Sequence, residues 1–434
     1  MTPEVKQRIE QIRRGEVPEG YKKTALGIVP ANWIETTLGK IYTERNEPGN
    51  DALPLLMVSI HSGVSDGEVA EEDLPKKVKR IEDKSQYKHA MPGDLVFNMM
   101  RAWQGAIGSV RTEGMVSPAY IVAKPNEMVN PVFMDYYMKM PRMINMIRRQ
   151  SYGVTDFRLR LYWDSFSPIP CVLPPIEEQK HIADILSAQD NLIALQQKKI
   201  AELQQLRKSY LKKLFPTDGC KEPELRFNGF TDAWEKRKVS SMITDIADGP
   251  FGSNLKTEHY TEEREARIIQ LSNLSDYGWQ EENIKYTTFE HAKEIKRCIV
   301  NEGELVMGKM MPAGMTIMRP NTEKMYVLSS DCVRIKLDNA IATDMFFLYT
   351  TKSDVFLDQV KNDSQGSTRI RTSISKIREM DIDIPSVAEQ EKIGEYFTKI
   401  DHLITLHQRK ADHTLTKKDV LMQLLMTGQL QVSV

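Results

Sequence analysis

The chain has 434 residues, with 59 Lys plus Arg against 60 Asp plus Glu, 41% apolar residues and 27% charged residues. That length supports two or three domains, each able to bury its own core, and excludes a small disulfide-stapled scaffold. A net charge of −1 argues against a uniformly basic nucleic-acid coat but leaves local basic patches open, because the field depends on where the charges sit.

The four cysteines, Cys171, Cys220, Cys298 and Cys332, are 49, 78 and 34 residues apart, so none makes the C-x-x-C spacing of a zinc or redox site. A reducing, cytoplasmic compartment is expected. The segment from Met1 to Gly15 is charged and periodic where a secretory signal would be apolar, and no run of 18 apolar residues occurs, so no membrane association is expected.

In chain order, Val5, Ile9 and Ile12 between Pro3 and Gly15 predict a short amphipathic helix over 3–14, followed by an extended link through Pro18, Gly20 and Pro30. Asp94 to Met99 and Ala119 to Ala123 read as strands, and Val132 to Met146 as a helix. From Pro174 the apolar residues Ile182, Leu186, Ile193, Ile200, Leu203 and Leu214 recur at heptad spacing, with Gln189, Gln196, Arg207 and Tyr210 in the same phase. They predict a helix of about 38 residues, roughly 57 Å long. Prolines and Glu177–Glu178 at its start suit the first turn and the positive end of the helix dipole.

Beyond Pro216 the pattern begins again. Arg267 to Leu271, Glu304 to Met307 and Cys332 to Leu337 read as strands, Gly249 to Ser253 as a turn, and Asp344 to Val360 as a helix. A second long helix carries Ile393, Phe397, Ile400, Ile404, Leu421 and Leu425 along its seam. The fold class is therefore α/β in the mixed α+β sense, without the regular alternation of a doubly wound sheet.

The two long helices are copies. Shifting the chain by 211 places Pro174 to Phe215 on Pro385 to Met426 without a gap, with ten identities in 26 positions. Weaker echoes precede them: Gly93-Asp94-Leu95-Val96 with Gly303-Glu304-Leu305-Val306, Gly153-x-Thr155 with Gly366-x-Thr368, and Trp33 with Trp234. The expected boundaries are 1–172, 173–215, 216–383 and 384–434: globular unit, helix, globular unit, then helix and tail. Each apolar stripe needs a partner. Antiparallel pairing of the two helices, under an approximate twofold, is favoured over parallel pairing or two independent helices.

Catalytic motifs are thin. Gly303-x-x-x-x-Gly308-Lys309-Met310 approaches a phosphate-binding loop, but Met310 replaces the hydroxyl residue that reaches magnesium, and the interior is a strand pattern. His402, His407 and His413 are spaced five and six apart and do not line one face as zinc ligands would. What remains are basic and polar loops at comparable places in both halves. Arg101 and Gln104 follow one strand, and Lys309 follows its counterpart. Arg158 and Arg160, and then Arg369 and Arg371, follow the paired glycines. Arginine and glutamine can pair bidentately with base edges and lysine suits phosphate, although such residues also occur as plain solvated surface.

These residues resemble the specificity subunits of type I restriction-modification systems along essentially the whole chain. The resemblance is carried by Ile169-Pro170-x-x-Leu173-Pro174-Pro175-x-Glu177-Glu178-Gln179 and its echo Ile384-Pro385-x-x-Ala388-Glu389-Gln390. Gly27-x-x-Pro30-x-x-Trp33, Pro223 to Trp234 and Asp248-Gly249-Pro250-Phe251-Gly252-Ser253 support it. The second echo departs from the family pattern, with Ser386-Val387-Ala388 where a fuller Pro-Pro-Leu-Glu is usual.

The resemblance implies two target-recognition domains that read the halves of a bipartite double-stranded DNA site, with the helices setting the gap. It also implies two methylation subunits as partners and restriction subunits in the full complex. S-adenosylmethionine, ATP and magnesium would sit on those partners, leaving this chain without a cofactor or catalysis of its own. On this reading Arg101, Gln104, Arg158, Arg160, Lys309, Arg369 and Arg371 are the candidate DNA contacts. Two rivals stand beside it: a nucleotide-dependent enzyme using Gly303 to Lys309, and a coiled-coil scaffold or adaptor with no sequence readout.

Overall fold

A computed structural model describes residues 2–60, 63–65, 83–153, 158–217, 220–310, 313–362 and 371–432. The chain divides into a first unit, residues 1–195 with 411–434, and a second unit, residues 196–410. Both long helices, Ile176–Lys213 and Val387–Met426, contribute one half to each unit.

In the first unit a four-stranded antiparallel sheet orders Tyr42–Arg45, Tyr120–Pro125, Leu95–Asn98 and Ile107–Ser109. The inner strand Leu95–Asn98 begins with three consecutive buried residues, as a continuous apolar run requires. The two inward faces differ. Leu95 and Phe97 join the main core with Phe133, Phe166 and the helix residues Ile182 and Leu186, while Val96 joins a smaller cluster with Leu56, Val116 and Val122.

The second unit repeats this sheet in the same chain order, Ile243–Asp248, Cys332–Leu337, Leu305–Gly308 and Thr316–Met318. Its further five-stranded sheet contains a parallel pair, Ala266–Ile269 with Met325–Leu328. In both units a two-stranded ribbon leads directly into a long helix: Ile34–Thr37 with Pro170–Leu173, and Glu235–Lys238 with Asp381–Ile384.

Two expected helices are each broken in two. The stretch read as Val132 to Met146 forms Pro131–Met138 and Pro141–Gln150, because Pro141 supplies no N–H to continue the first helix. The stretch read as Asp344 to Val360 forms Asp344–Thr350 and Asp354–Asn362. There the Ser353 hydroxyl donates to the Thr350 carbonyl and accepts from Phe356 N, so it closes one helix and caps the next.

The long helices pair antiparallel within each unit. In the second unit Gln196 meets His407, Arg207 meets Asp401 and Tyr210 meets Tyr396, so ascending positions on one helix meet descending positions on the other. In the first unit Asp190 meets Lys418. The seam residues divide by location. Ile200, Leu203, Ile400 and Ile404 form a cluster of their own. Ile182, Leu186, Leu421 and Leu425 belong to the first unit's core, and Leu214, Ile393 and Phe397 to the second's. Ile193 is half-buried.

The identities between the helices have a physical basis. Gln179 accepts from Asn130 N at 2.9 Å and donates to the carbonyls of Met128 and Pro174. Gln390 repeats all three bonds with Thr343 N, Ile341 and Pro385. Both glutamines are buried, and each bolts its helix to its own globular part. Divergence appears one residue earlier. Trp33 Nε1 donates to Glu178 at 3.2 Å, whereas Glu389 takes a bidentate pair from Arg226 and Trp234 Nε1 has no partner among the described residues.

Candidate nucleic-acid interface

In the first unit Arg101 and Gln104 lie on a tight turn after strand Leu95–Asn98. Arg101 N donates to the Asn98 carbonyl, residues Ala102–Gln104 make one 3-10 turn, and Gly105, at φ 101°, ends it in the left-handed region. Ala102 is buried and anchors the turn, which leaves both Arg101 and Gln104 exposed. Arg158 and Arg160 are also exposed. Arg160 bridges antiparallel to Tyr152, and a Cβ on Gly153 would stand 2.1 Å from the Arg158 carbonyl oxygen, so this close approach requires glycine.

A single backbone bond brings the two segments together. Leu161 N donates to the Met99 carbonyl at 2.8 Å, placing Arg160 beside the loop that carries Arg101. Residues missed in the sequence join them: Arg148 lies over the Trp103 ring at 5.6 Å, and Tyr152 is exposed beside Tyr162. The signal for Arg148 was available in the amphipathic spacing of Pro141–Gln150, whose buried side holds Met143 and Ile147.

The second unit uses the same connection. Thr372 N donates to the Lys309 carbonyl at 2.9 Å, and Arg371 bridges antiparallel to Met310. Leu161 and Thr372 are 211 positions apart, as are Arg160 and Arg371. Arg371 is exposed, whereas Lys309 is 6% exposed and its Nζ sits 2.5 Å from Asp248 Oδ1. That ammonium is thus already neutralised within the fold. Arg369 lies outside the described residues. Gly303 to Lys309 is not a loop: Leu305–Gly308 is an inner strand, hydrogen-bonded on both sides.

Among the described residues there is no cluster of three or more His, Cys, Asp or Glu side chains able to hold a metal ion. No helix among them is long and apolar enough to cross a membrane. The arrangement is therefore a cluster of exposed arginines and polar side chains at one end of the first unit's sheet, and the single exposed Arg371 at the corresponding place in the second. It suits positioning against an anionic polymer and reading of its base edges.

Comparison with known proteins agrees. The family described as type I restriction modification DNA specificity domain matches residues 116–205 and 237–415. The MjaVIII type I restriction enzyme specificity subunit of Methanocaldococcus jannaschii is 23% identical over 74% of this chain and 75% of its own length. A putative MjaX specificity subunit of the same organism is 23% identical over 95% of this chain and 97% of its own. Among solved structures, a type I restriction-modification S subunit from M. genitalium superposes with TM-score 0.56 at 12% identity, covering 93% of this chain and 97% of that one. A chain from a structure concerned with assembly and conformational transition of the type I R-M system gives TM-score 0.53 at 15% identity, covering 93% and 99%. With two matched segments that fall on the two halves of its internal repeat, this chain belongs to the type I restriction modification DNA specificity family.

Proposed function

We propose that this chain is the DNA-recognition subunit of a type I restriction-modification complex, with each unit reading one half of a bipartite double-stranded target. The observation that carries the reading is the repeated connection, Leu161 to Met99 and Thr372 to Lys309, which sets an arginine-bearing segment beside a sheet-end loop in both units. The side chains on those loops differ between the units, as two different half-sites require. The paired helices act as the ruler between half-sites, and this chain performs no chemistry.

The partners follow from the same repeat. Leu192 and Leu195 are exposed on the first helix, and their counterparts Leu403 and Leu406 are exposed on the second. Identical apolar patches at identical repeat positions suit two copies of one partner. In this reading these are two methylation subunits that carry S-adenosylmethionine, with ATP and magnesium bound by restriction subunits in the full complex. The compartment is the cytoplasm, where the DNA is.

Selection from random duplexes with the assembled complex tests the reading. Enrichment of two short constant blocks at a fixed separation is expected. A complex that binds DNA yet enriches no sequence would establish the scaffold alternative instead.

A further inference from the structure

The turn Gly249-Pro250-Phe251-Gly252 is built to display one side chain. It follows strand Ile243–Asp248 at the end of the second unit's sheet. A Cβ on Gly249 would lie 1.8 Å from the Ser329 carbonyl oxygen, so the backbone runs directly against its neighbour there. Gly249 N donates to the Cys332 carbonyl at 2.9 Å and Asn254 N to the Phe251 carbonyl at 2.7 Å, closing the turn on both sides. Pro250 fixes its own φ. On this rigid support Phe251 is 84% exposed, the most exposed large apolar side chain among the described residues.

Behind it lies a pocket of about 290 Å³ lined by Asp248, Lys309, Ser330, Arg371, Thr372 and Ser373 together with the turn. The Asp248–Lys309 pair is internally neutral, so the exposed Arg371 guanidinium sets the sign of the pocket. Thr372 is 3% exposed and closes the floor of the pocket, leaving Arg371 as its exposed cation. An exposed aromatic wedge next to a pocket with one exposed cation matches one base step and its flanking phosphate.

We propose that Phe251 is a wedge of the second unit, inserting at one base step of the target, while Arg371 holds the adjoining phosphate. The proposal rests on the DNA-recognition reading above. It also predicts asymmetry. In the first unit the equivalent strand ends at Arg45 and continues Asn46-Glu47-Pro48, with no aromatic residue to insert.

The test uses the assembled complex on its selected target, with 2-aminopurine stepped through both half-sites. Apart from the base that each methylation subunit extrudes for its own chemistry, the wild-type complex should raise the fluorescence at one further step, in one half-site only. Phe251→Ala should abolish that rise and weaken binding about 10-fold or more, while Phe251→Tyr should keep both. Arg371→Ala should reduce the slope of log affinity against log salt by about one. Phe251 is exposed, so an unchanged melting temperature will show that its variants fold. Unchanged affinity and an unchanged fluorescence profile for Phe251→Ala on a genuine bipartite target would overturn the wedge and leave the recognition function standing. An unchanged salt slope for Arg371→Ala would overturn the phosphate contact. Failure of the wild-type complex to select any target would remove both the wedge and the reading beneath it.

Discussion

Arg207 Nε donates to Asp401 at 2.6 Å inside the second unit, and the residues 211 positions from each, Lys418 and Asp190, meet at 2.5 Å inside the first. Each aspartate also accepts from a tyrosine, Tyr349 or Tyr136, and each cation lies over that tyrosine's ring. The same three-residue junction thus clamps the two helices in both units. Its surroundings differ: Arg207 is 2% exposed and further bound to Asp276, whereas the Lys418 side chain is 16% exposed. Arg207→Ala removes a buried guanidinium from Asp401, whose side chain is 21% exposed, and from Asp276, and should cost about 2 to 3 kcal/mol. Lys418→Ala should cost about 1 kcal/mol or less, because its aspartate can turn to water. Hydrogen exchange resolved by residue would show the first loss within 196–410 and the second within the first unit. Equal losses would mean that the junctions are not distinguished by burial.

Lys352 gives the second unit a pH signature. Burial, with Arg207 close by, lowers its ammonium from the ordinary 10.5 to about 8, opposed by Asp276 and Asp401. Between about 8 and 10.5 the unfolded chain binds more protons at this site than the folded one, so this lysine makes stability rise with pH across that window. Below the window the buried charge costs about 3 kcal/mol. Lys352→Met, measured against wild type so that the tyrosines cancel, should flatten the rise and gain stability at neutral pH. A rise of equal size in both proteins would locate the effect elsewhere.

The ruler makes a geometric prediction. One heptad inserted after Leu195 and another after Lys410 preserve the seam phase and lengthen each helix by about 10 Å, equivalent to roughly three base pairs of 3.4 Å. The host methylome should then show a target with a longer gap and both half-sites intact. The same gap would remove the helices from the role of spacer.

Alanine at Arg101, Gln104, Arg158, Arg160 or Arg371 separates base reading from phosphate holding. A base contact should cost about 1 to 3 kcal/mol and relax one position of the target, while a phosphate contact should weaken all sequences alike. Given the wedge geometry, Arg371 should fall in the second class. Lys309→Ala should also perturb folding of the sheet end, because its ammonium is paired with Asp248.

The exposed leucines predict stoichiometry. Leu195→Asp should release one methylation subunit, Leu406→Asp one, and the double variant both, read as mass by light scattering. Both side chains are exposed in this chain, so its own melting temperature should hold. Retention of both subunits by the double variant would place the docking surface elsewhere.

Much of this was legible in the sequence because helix periodicity and repeat offset are local or linear properties. The spacing of Ile182, Leu186, Ile193 and Ile200 declares a long one-sided helix, and the 211-residue shift declares its copy. The retained Gln179 and Gln390 stood out in sequence only as repeat identities; the fold shows that each fastens its helix by accepting one backbone bond and donating two. Only the tertiary structure decided how far each seam is helix on helix: Ile182 and Ile393 face globular cores, and Ile200 and Ile404 face the partner helix. All four read simply as seam positions, because a heptad records that a side is apolar and not what covers it. Likewise the charge on Lys309 is visible in sequence, but its pairing with Asp248, 61 residues earlier, exists only once the two strands that flank Cys332–Leu337 finish at the same end of the sheet. Ion pairs and pockets depend on such long-range juxtaposition, and for that reason the interface had to be read from the fold.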